Sequence, residues 1–374
     1  MGSSEKERFP LKVTHSNLID NECAEYFEEA ARRAPTRAVR RYYHKQAKLM
    51  RGYGEDKNSI VHFEQNYERH GEAQSRKHGD SSKKSSVRLA KVTFSVNLLL
   101  LAVKATAGGL SGSLSVISSV VDSGMDIASG VIIWVSSRAI RKRDLRSYPR
   151  GRTRLEPLSL VIISFIMGSA SVQVILKSVN ALIFNDVKPD IGIATISIMA
   201  ATVITKFVLW LVCRFYKDCN IRILAQDHRN DCISNASAII CAYLGNHFWS
   251  HLDPIGAILI SLYLSGSWMI TGIQQMRIIS GKAANPLIQS QITKICIDHE
   301  PKFERIETVL AYHFGTNYLV EVHVVLNENI TLKEAHDISE SLQRKIEHLP
   351  YVERAFVHVD YEYEHRPEYE HKIV

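Results

Sequence analysis

Between Arg88 and Gly281 the chain is dominated by long apolar runs, whereas the segments on either side alternate apolar and charged positions as soluble proteins do. A helix rising about 1.5 Å per residue needs about 20 mainly apolar residues to cross a hydrocarbon layer roughly 30 Å thick. Six stretches meet that requirement: Leu89 to Gly108, Leu114 to Val135, Leu155 to Leu182, Ile191 to Phe215, Ile221 to Tyr243, and Pro254 to Ile273. The fifth is the least apolar, because it contains the run DHRND. After Lys282 the pattern predicts helices over Pro286 to Glu300 and Thr331 to His348, and strands over Ile306 to His313, Tyr318 to Asn327 and Val352 to Asp360. Thr331 and Glu334 have the spacing of a capping box, in which hydroxyl and carboxylate each satisfy a free backbone N–H. The order α-β-β-α-β suits a small sheet covered on one face by two helices, in the ferredoxin-like style.

These elements predict an α-helical membrane protein: a six-transmembrane-helix bundle with a cytoplasmic α+β ferredoxin-like C-terminal domain. The expected divisions are an N-terminal region over residues 1–86, a transmembrane domain over 87–281 and a soluble domain over 282–374. The first region carries charges of both signs and the Lys/Ser-rich stretch HGDSSKKSS, and reads as partly helical and otherwise flexible. Within it, Ala24 to Lys48 has the periodicity of a short amphipathic helix pair broken at Pro35.

Charge refines this picture. Mean hydropathy over the 374 residues is −0.08, a value that hides the segregation of apolar and polar blocks. The formal net charge of +7 comes from basic residues that mostly flank the spans, which fits membrane topology rather than a nucleic-acid partner. Ser136 to Arg154 holds eight basic residues, while GGLSGS, FNDVKPD and GNHFWSHLD hold one between them. The positive-inside rule puts the basic loop in the cytoplasm, and six spans then put both termini there. Arg141, Lys142 and Arg143 are expected to anchor that loop at anionic lipid, with a salt bridge to the soluble domain as the alternative. The six cysteines form no C-x-x-C pair and read as free thiols. The opening MGSSEKERFP lacks the apolar core of a signal peptide, so the first span is expected to direct insertion. Lys6 spoils a myristoylation signal.

The chemistry lies in two spans. Asp122 and Asp126 are four residues apart in SSVVDSGMDIASG, and Asp227, Asp231 and Asn235 form an i, i+4, i+8 stripe in AQDHRNDCISNA. Residues at this spacing leave one helix face about a turn apart. A carboxylate in hydrocarbon costs at least about 2.5 kcal/mol, so four facing lipid would cost on the order of 10 kcal/mol. A shared divalent cation offsets that cost, since carboxylates supply a hard oxygen shell and opposite charge. Without the cation the carboxylates repel and take up protons, a physical basis for exchanging metal against protons. The bland alternative is interhelical hydrogen bonding by the same side chains; two i, i+4 pairs on separate spans count against it. Arg229 and His228 lie off the stripe, and His228 is given no ligand role. Asn97 and Ser118 are further candidates for neutral oxygens. No nucleophile elbow, phosphate loop or H-E-x-x-H motif is present, so no enzymatic activity and no resident cofactor are expected.

The paired acidic motifs, YPRGRTRLEP from Tyr148 to Pro157, YHFGTNYLVEVHVVL, EAHDISESLQ and VERAFVHVDYE together resemble the cation diffusion facilitator family over about Leu89 to Glu364. The resemblance implies a homodimeric multi-pass transporter that moves metal out of the cytosol against protons by alternating access. It implies a site drawn from the second and fifth spans, here Asp122, Asp126, Asp227 and Asp231. Zinc-transporting members usually place His at the first fifth-span position; Asp227 stands there in this chain. That difference, and Asn235 one turn further on, resemble the manganese branch. Zinc favours compact shells that include nitrogen or sulfur, whereas manganese accepts larger oxygen-rich shells. The expected function is therefore manganese/proton antiport. A zinc or broad divalent-metal exporter, a transport-inactive scaffold subunit and a metal-gated channel are the rivals. The membrane is expected to be an endomembrane or the plasma membrane. In the soluble domain, Glu321 and His323 share one strand face, His358 and Asp360 another, and His336 lies on the second helix. Exposed or hydrogen-bonded side chains are the favoured reading of that set, with metal ligation as the alternative.

Overall fold

The computed structural model describes residues 16–34, 36–70, 75–111, 114–142, 144, 146–184, 193–216, 219–247 and 251–362. Ten helices and three strands occur among them: α1 (Ser16–Arg33), α2 (Arg37–His70), α3 (Ser75–Ser111), α4 (Leu114–Arg141), α5 (Leu155–Ile183), α6 (Ile193–Cys213), α7 (Cys219–His247), α8 (Leu252–Ile279), α9 (Pro286–Ile297), β1 (Arg305–Phe314), β2 (Asn317–Val325), α10 (Leu332–Glu347) and β3 (Val352–Asp360). They cluster into two compact units, one drawn from Met1–Arg76, Ala283–Tyr312 and Asn317–Val374, the other from Lys77–Lys282 and His313–Thr316.

The second unit is a bundle of long helices. Four of them, over Arg88–Thr106, Leu155–Ile183, Ile196–Cys213 and Leu252–Ile279, are long and apolar enough among the described residues to cross a membrane. Helices α4 and α7, which carry the acidic pairs, are not among these four. Leu160, Ile163 and Met167 of α5 meet Trp268 of α8, Ile223 of α7 and Ile133 of α4 in one buried cluster. Small residues bring these helices close: a methyl added at Gly272 of α8 would lie 3.3 Å from Ser164 Cβ of α5. Ser159, Ser164 and Ser171 are buried on α5, and their hydroxyls donate to Glu156, Leu160 and Met167 carbonyls at 2.7, 2.8 and 3.0 Å. Turned back on their own helix, these hydroxyls leave a smooth narrow face for a neighbour. On the outer faces, Phe165, Leu176, Ile204, Leu259 and Met269 are exposed. An apolar surface of this kind is what hydrocarbon solvates and water does not.

The other unit holds the soluble fold with its predicted element order. The sheet order is β1-β2-β3; β1 and β2 are joined by a tight turn in which Gly315 takes φ 68°, and β2 runs parallel to β3 with Val322 opposite Val357. A parallel neighbour requires a crossover, which α10 supplies. Val320, Val322 and Val324 point to one face, where Ile292 of α9 and Leu342 and Ile346 of α10 bury against them. Asn285 caps α9 by accepting from the Leu287 N–H at 3.1 Å, and Pro286 fills a first-turn position that lacks a hydrogen-bond partner in any helix. Thr331 caps α10 by accepting from Glu334 N at 3.3 Å, while the Glu334 carboxylate accepts from Lys302 Nζ at 2.5 Å. The second half of the expected capping box is thus exchanged for an ion pair with the α9–β1 connection.

Two features of the N-terminal region differ from the sequence reading. The helix pair is longer than Ala24 to Lys48, and HGDSSKKSS lies within the helical backbone of α3. In addition, α2 packs on α9: Ile60 joins the soluble core, the Tyr53 hydroxyl donates to the Ser290 carbonyl at 3.4 Å, and the Tyr351 hydroxyl donates to Asp56 Oδ2 at 2.8 Å. Gly52 permits the approach, since a methyl there would collide with the Gln291 amide. Asp56 is 7% exposed, and burial pushes its carboxyl up to about 6. Burial and the nearby Asp56 charge also raise the Tyr351 hydroxyl.

Candidate metal centre

Helices α4, α6 and α7 supply the acidic cluster and its counter-charge. The α4 backbone sets Asp122 and Asp126 one turn apart; the Asp122 side chain lies outside the described residues, as do those of Ser118 and Arg143. Asp126 is buried at 8% exposure and Asp227 at 4%. Lys206 of α6 joins the two helices: its Nζ donates to Asp126 Oδ2 at 2.7 Å and to Asp231 Oδ2 at 2.6 Å, with the lysine side chain 3% exposed. One ammonium therefore spans a carboxylate of α4 and a carboxylate of α7 inside the bundle.

The α7 stripe is oriented from both sides. Gln226 Nε2 donates to Thr271 Oγ1 of α8 at 2.9 Å, and Cys232 Sγ contacts the Val203 carbonyl of α6 at 3.6 Å. These contacts fix the rotation of α7 about its axis, and hence the direction in which Asp227 and Asp231 project. Asn235 donates through Nδ2 to the Asp231 carbonyl at 2.8 Å, so its side-chain oxygen is the atom suited to ligation.

Asp227, His228 and Asp231 each offer a ligand atom, and these atoms lie within 4.8 Å of one another; among the described residues no other three His, Cys, Asp or Glu side chains meet that condition. His228 is fully buried, and neither ring nitrogen has a hydrogen-bond partner among the described residues. Helix spacing places it off the acidic stripe, and only the packed structure shows its ring beside the carboxylates. Arg229 turns elsewhere, its Nη2 3.3 Å from Asn230 Oδ1.

Lys206 and Lys104 are the residues that sequence reasoning passed over. Lys104 of α3 is 4% exposed, and its Nζ donates to Ser123 Oγ of α4 at 3.0 Å. The signal was available: each is a lone ionisable group within an apolar run, a placement that marks function by default. Asn97, on the same helix as Lys104, is buried with Oδ1 unpartnered among the described residues.

The polar set of the soluble domain is more dispersed. Glu321 accepts from the Tyr312 hydroxyl, and His336 Nδ1 lies 3.3 Å from Asp337 Oδ1 on exposed α10. His323 and His358 are register partners with ring centroids 5.0 Å apart. Glu307 Oε2 is 4.0 Å from His323 Nδ1, and Asp360 Oδ2 is 4.0 Å from His358 Nε2.

Comparison with known proteins gives concordant matches to both parts of the chain. Residues 90–279 match the cation efflux transmembrane domain, and residues 284–362 match the cytoplasmic domain of cation efflux proteins. The chain is 36% identical over 344 residues to Metal tolerance protein 7 of Oryza sativa subsp. japonica, covering 90% of this chain and 86% of that protein. It is 36% identical over 342 residues to Metal tolerance protein 10 of Arabidopsis thaliana, covering 89% and 77%. Metal tolerance protein 11 of Arabidopsis thaliana is 34% identical over 341 residues, covering 90% and 84%.

Proposed function

We propose a function from one premise: this chain belongs to the cation efflux family. It is an integral membrane transporter of divalent metal cations, it carries the family's dimerisation domain, and it is not an enzyme. The finer reading is manganese export from the cytosol in exchange for protons. Asp122, Asp126, Asp227 and Asp231 act as ligands and Asn235 adds a neutral oxygen. In this reading α3 to α8 are the six spans, residues 87–281 form the membrane domain between the regions 1–86 and 282–374, and both termini face the cytoplasm of a cell's endomembrane or plasma membrane.

The observation that carries the site is the meeting of Asp126 and Asp231, from two separate helices, on one buried ammonium, that of Lys206. Carboxylates so placed hold a hard divalent ion, and they repel one another when it leaves. Protons entering from the far side relieve that repulsion, which couples release of metal to uptake of protons. Alternating access then requires only that the carboxylates face the two sides of the membrane in turn. Manganese fits a shell built from four carboxylates and one amide oxygen.

A broader divalent specificity, including zinc, is the second reading, and His228 favours it. Its ring nitrogen beside Asp227 and Asp231 would complete a mixed nitrogen and oxygen shell of the kind zinc accepts. Proteoliposomes with an imposed pH gradient test both readings. Manganese uptake should depend on the gradient and be abolished by Asp126→Asn or Asp231→Asn in protein that still forms dimers. Uptake that survives either change removes the site, and uptake indifferent to the gradient removes the antiport.

A further inference from the structure

The position between Asp126 and Asp231 is held by Lys206, and this sets a condition on any cation that the two carboxylates bind together. The ammonium donates to both at 2.7 and 2.6 Å, and the side chain is 3% exposed. A divalent ion coordinated by the same oxygens cannot share that space with an ammonium: the two would be positive charges within a few ångströms of each other, in surroundings that screen poorly. The metal must therefore move the lysine head aside.

We propose that Lys206 is a tethered competitor for the metal, an internal cation that occupies the carboxylates between transport events and helps expel the ion at release. The inference rests on the site proposed above and adds to it a residue from a third helix. What changes between the two arrangements is where the head of Lys206 lies. An aliphatic stem of four carbons lets the ammonium swing while its backbone stays on α6. In the lysine-held arrangement two carboxylates share one ammonium and their helices are tied together through α6. In the metal-held arrangement the ion takes over that compensation, and the displaced ammonium raises the energy of the bound state. Binding is weakened, and departure of the ion is favoured because the lysine returns.

Among the described residues a second ammonium is buried against α4, that of Lys104, which is held on Ser123 Oγ at 3.0 Å. Were the lysines absent, the site would bind its cargo too tightly to turn over, since an exporter needs a site that the ion can leave.

The test uses full-length protein with Lys206→Met and Lys206→Arg, with manganese binding measured by calorimetry in detergent and transport in proteoliposomes. Removing the competing charge should tighten manganese binding by about tenfold or more and lower KM, while kcat falls because release slows. Lys206→Arg keeps the charge and should stay nearer the parent in affinity. Structural damage would weaken binding, so the expected direction separates a competitor from a merely structural lysine. Where Lys206→Met fails to assemble without metal, added manganese should restore it, the ion taking the ammonium's place; failure to restore overturns the proposal. Unchanged or weaker manganese binding in Lys206→Met also overturns it. Asp231→Asn serves as the reference. If it transports normally, the metal site itself is wrong; if it is inactive while Lys206→Met binds manganese as the parent does, only the role of Lys206 falls.

Discussion

The docking of α2 on the soluble domain should weaken as pH rises, because it buries Asp56 against Tyr351. The carboxyl is raised from 3.8 to about 6 in the docked state, chiefly by burial. A raised acid pKa means that the docked state prefers the protonated form. Docking is therefore strongest below the free-state value of 3.8, and it loses free energy as pH climbs through about 6. A shift of this size corresponds to an upper bound of about 3 kcal/mol at neutral pH, and partial solvent access reduces it to roughly 1–2 kcal/mol. Between about pH 5 and pH 7.5 the change amounts to about 1 kcal/mol, or roughly fivefold in the local opening constant. Hydrogen exchange of the α2 amides near Asp56 in the full-length protein, corrected for the intrinsic pH dependence of exchange, reads this directly. Asp56→Asn keeps an acceptor for the Tyr351 hydroxyl and removes the titrating charge. It should flatten the pH dependence and raise protection at pH 7.5 by about 5- to 30-fold, the whole of the roughly 1–2 kcal/mol penalty. Protection that is constant or increases with pH in the parent would refute the reasoning.

Two further outcomes are expected. Asp227→His should increase zinc transport relative to manganese in proteoliposomes, since it replaces a hard oxygen by a nitrogen donor; an unchanged preference would refute the role given to that position. Gly272→Leu should destabilise the bundle by about 1–3 kcal/mol, because α5 comes within 3.3 Å of an added Cβ, and a fluorescence melt of the purified protein that is unaltered would contradict the packing described.

Much of this protein is local in origin and was open to reading from order alone. The apolar runs, the α-β-β-α-β succession after Lys282, the Thr331 cap and the i, i+4 acidic pairs all follow from backbone periodicity and from spacing within single elements. The soluble fold agrees with those signals element by element, because its alternating valines and amphipathic α10 admit one buried face. The docking of α2 escaped detection because its apolar anchor, Ile60, and its polar contact, Asp56, sit in a strongly charged helix. The residues that Tyr53 and Asp56 of this helix meet, Ser290 and Tyr351, lie more than two hundred residues away.

The same division runs through the candidate metal centre. Sequence by itself determined that carboxylates occur in pairs on two helices that have apolar neighbours, since burial cost and helical pitch are properties of one segment at a time. Tertiary structure decided what stands between those pairs. Lys206 looks like one isolated charge in an apolar run until α6 packs beside α7, and His228 looks averted until the bundle closes around it. Periodicity says which way a residue leaves its own helix; only packing says which side chains of other helices it meets, because that depends on rotations and distances no single segment encodes.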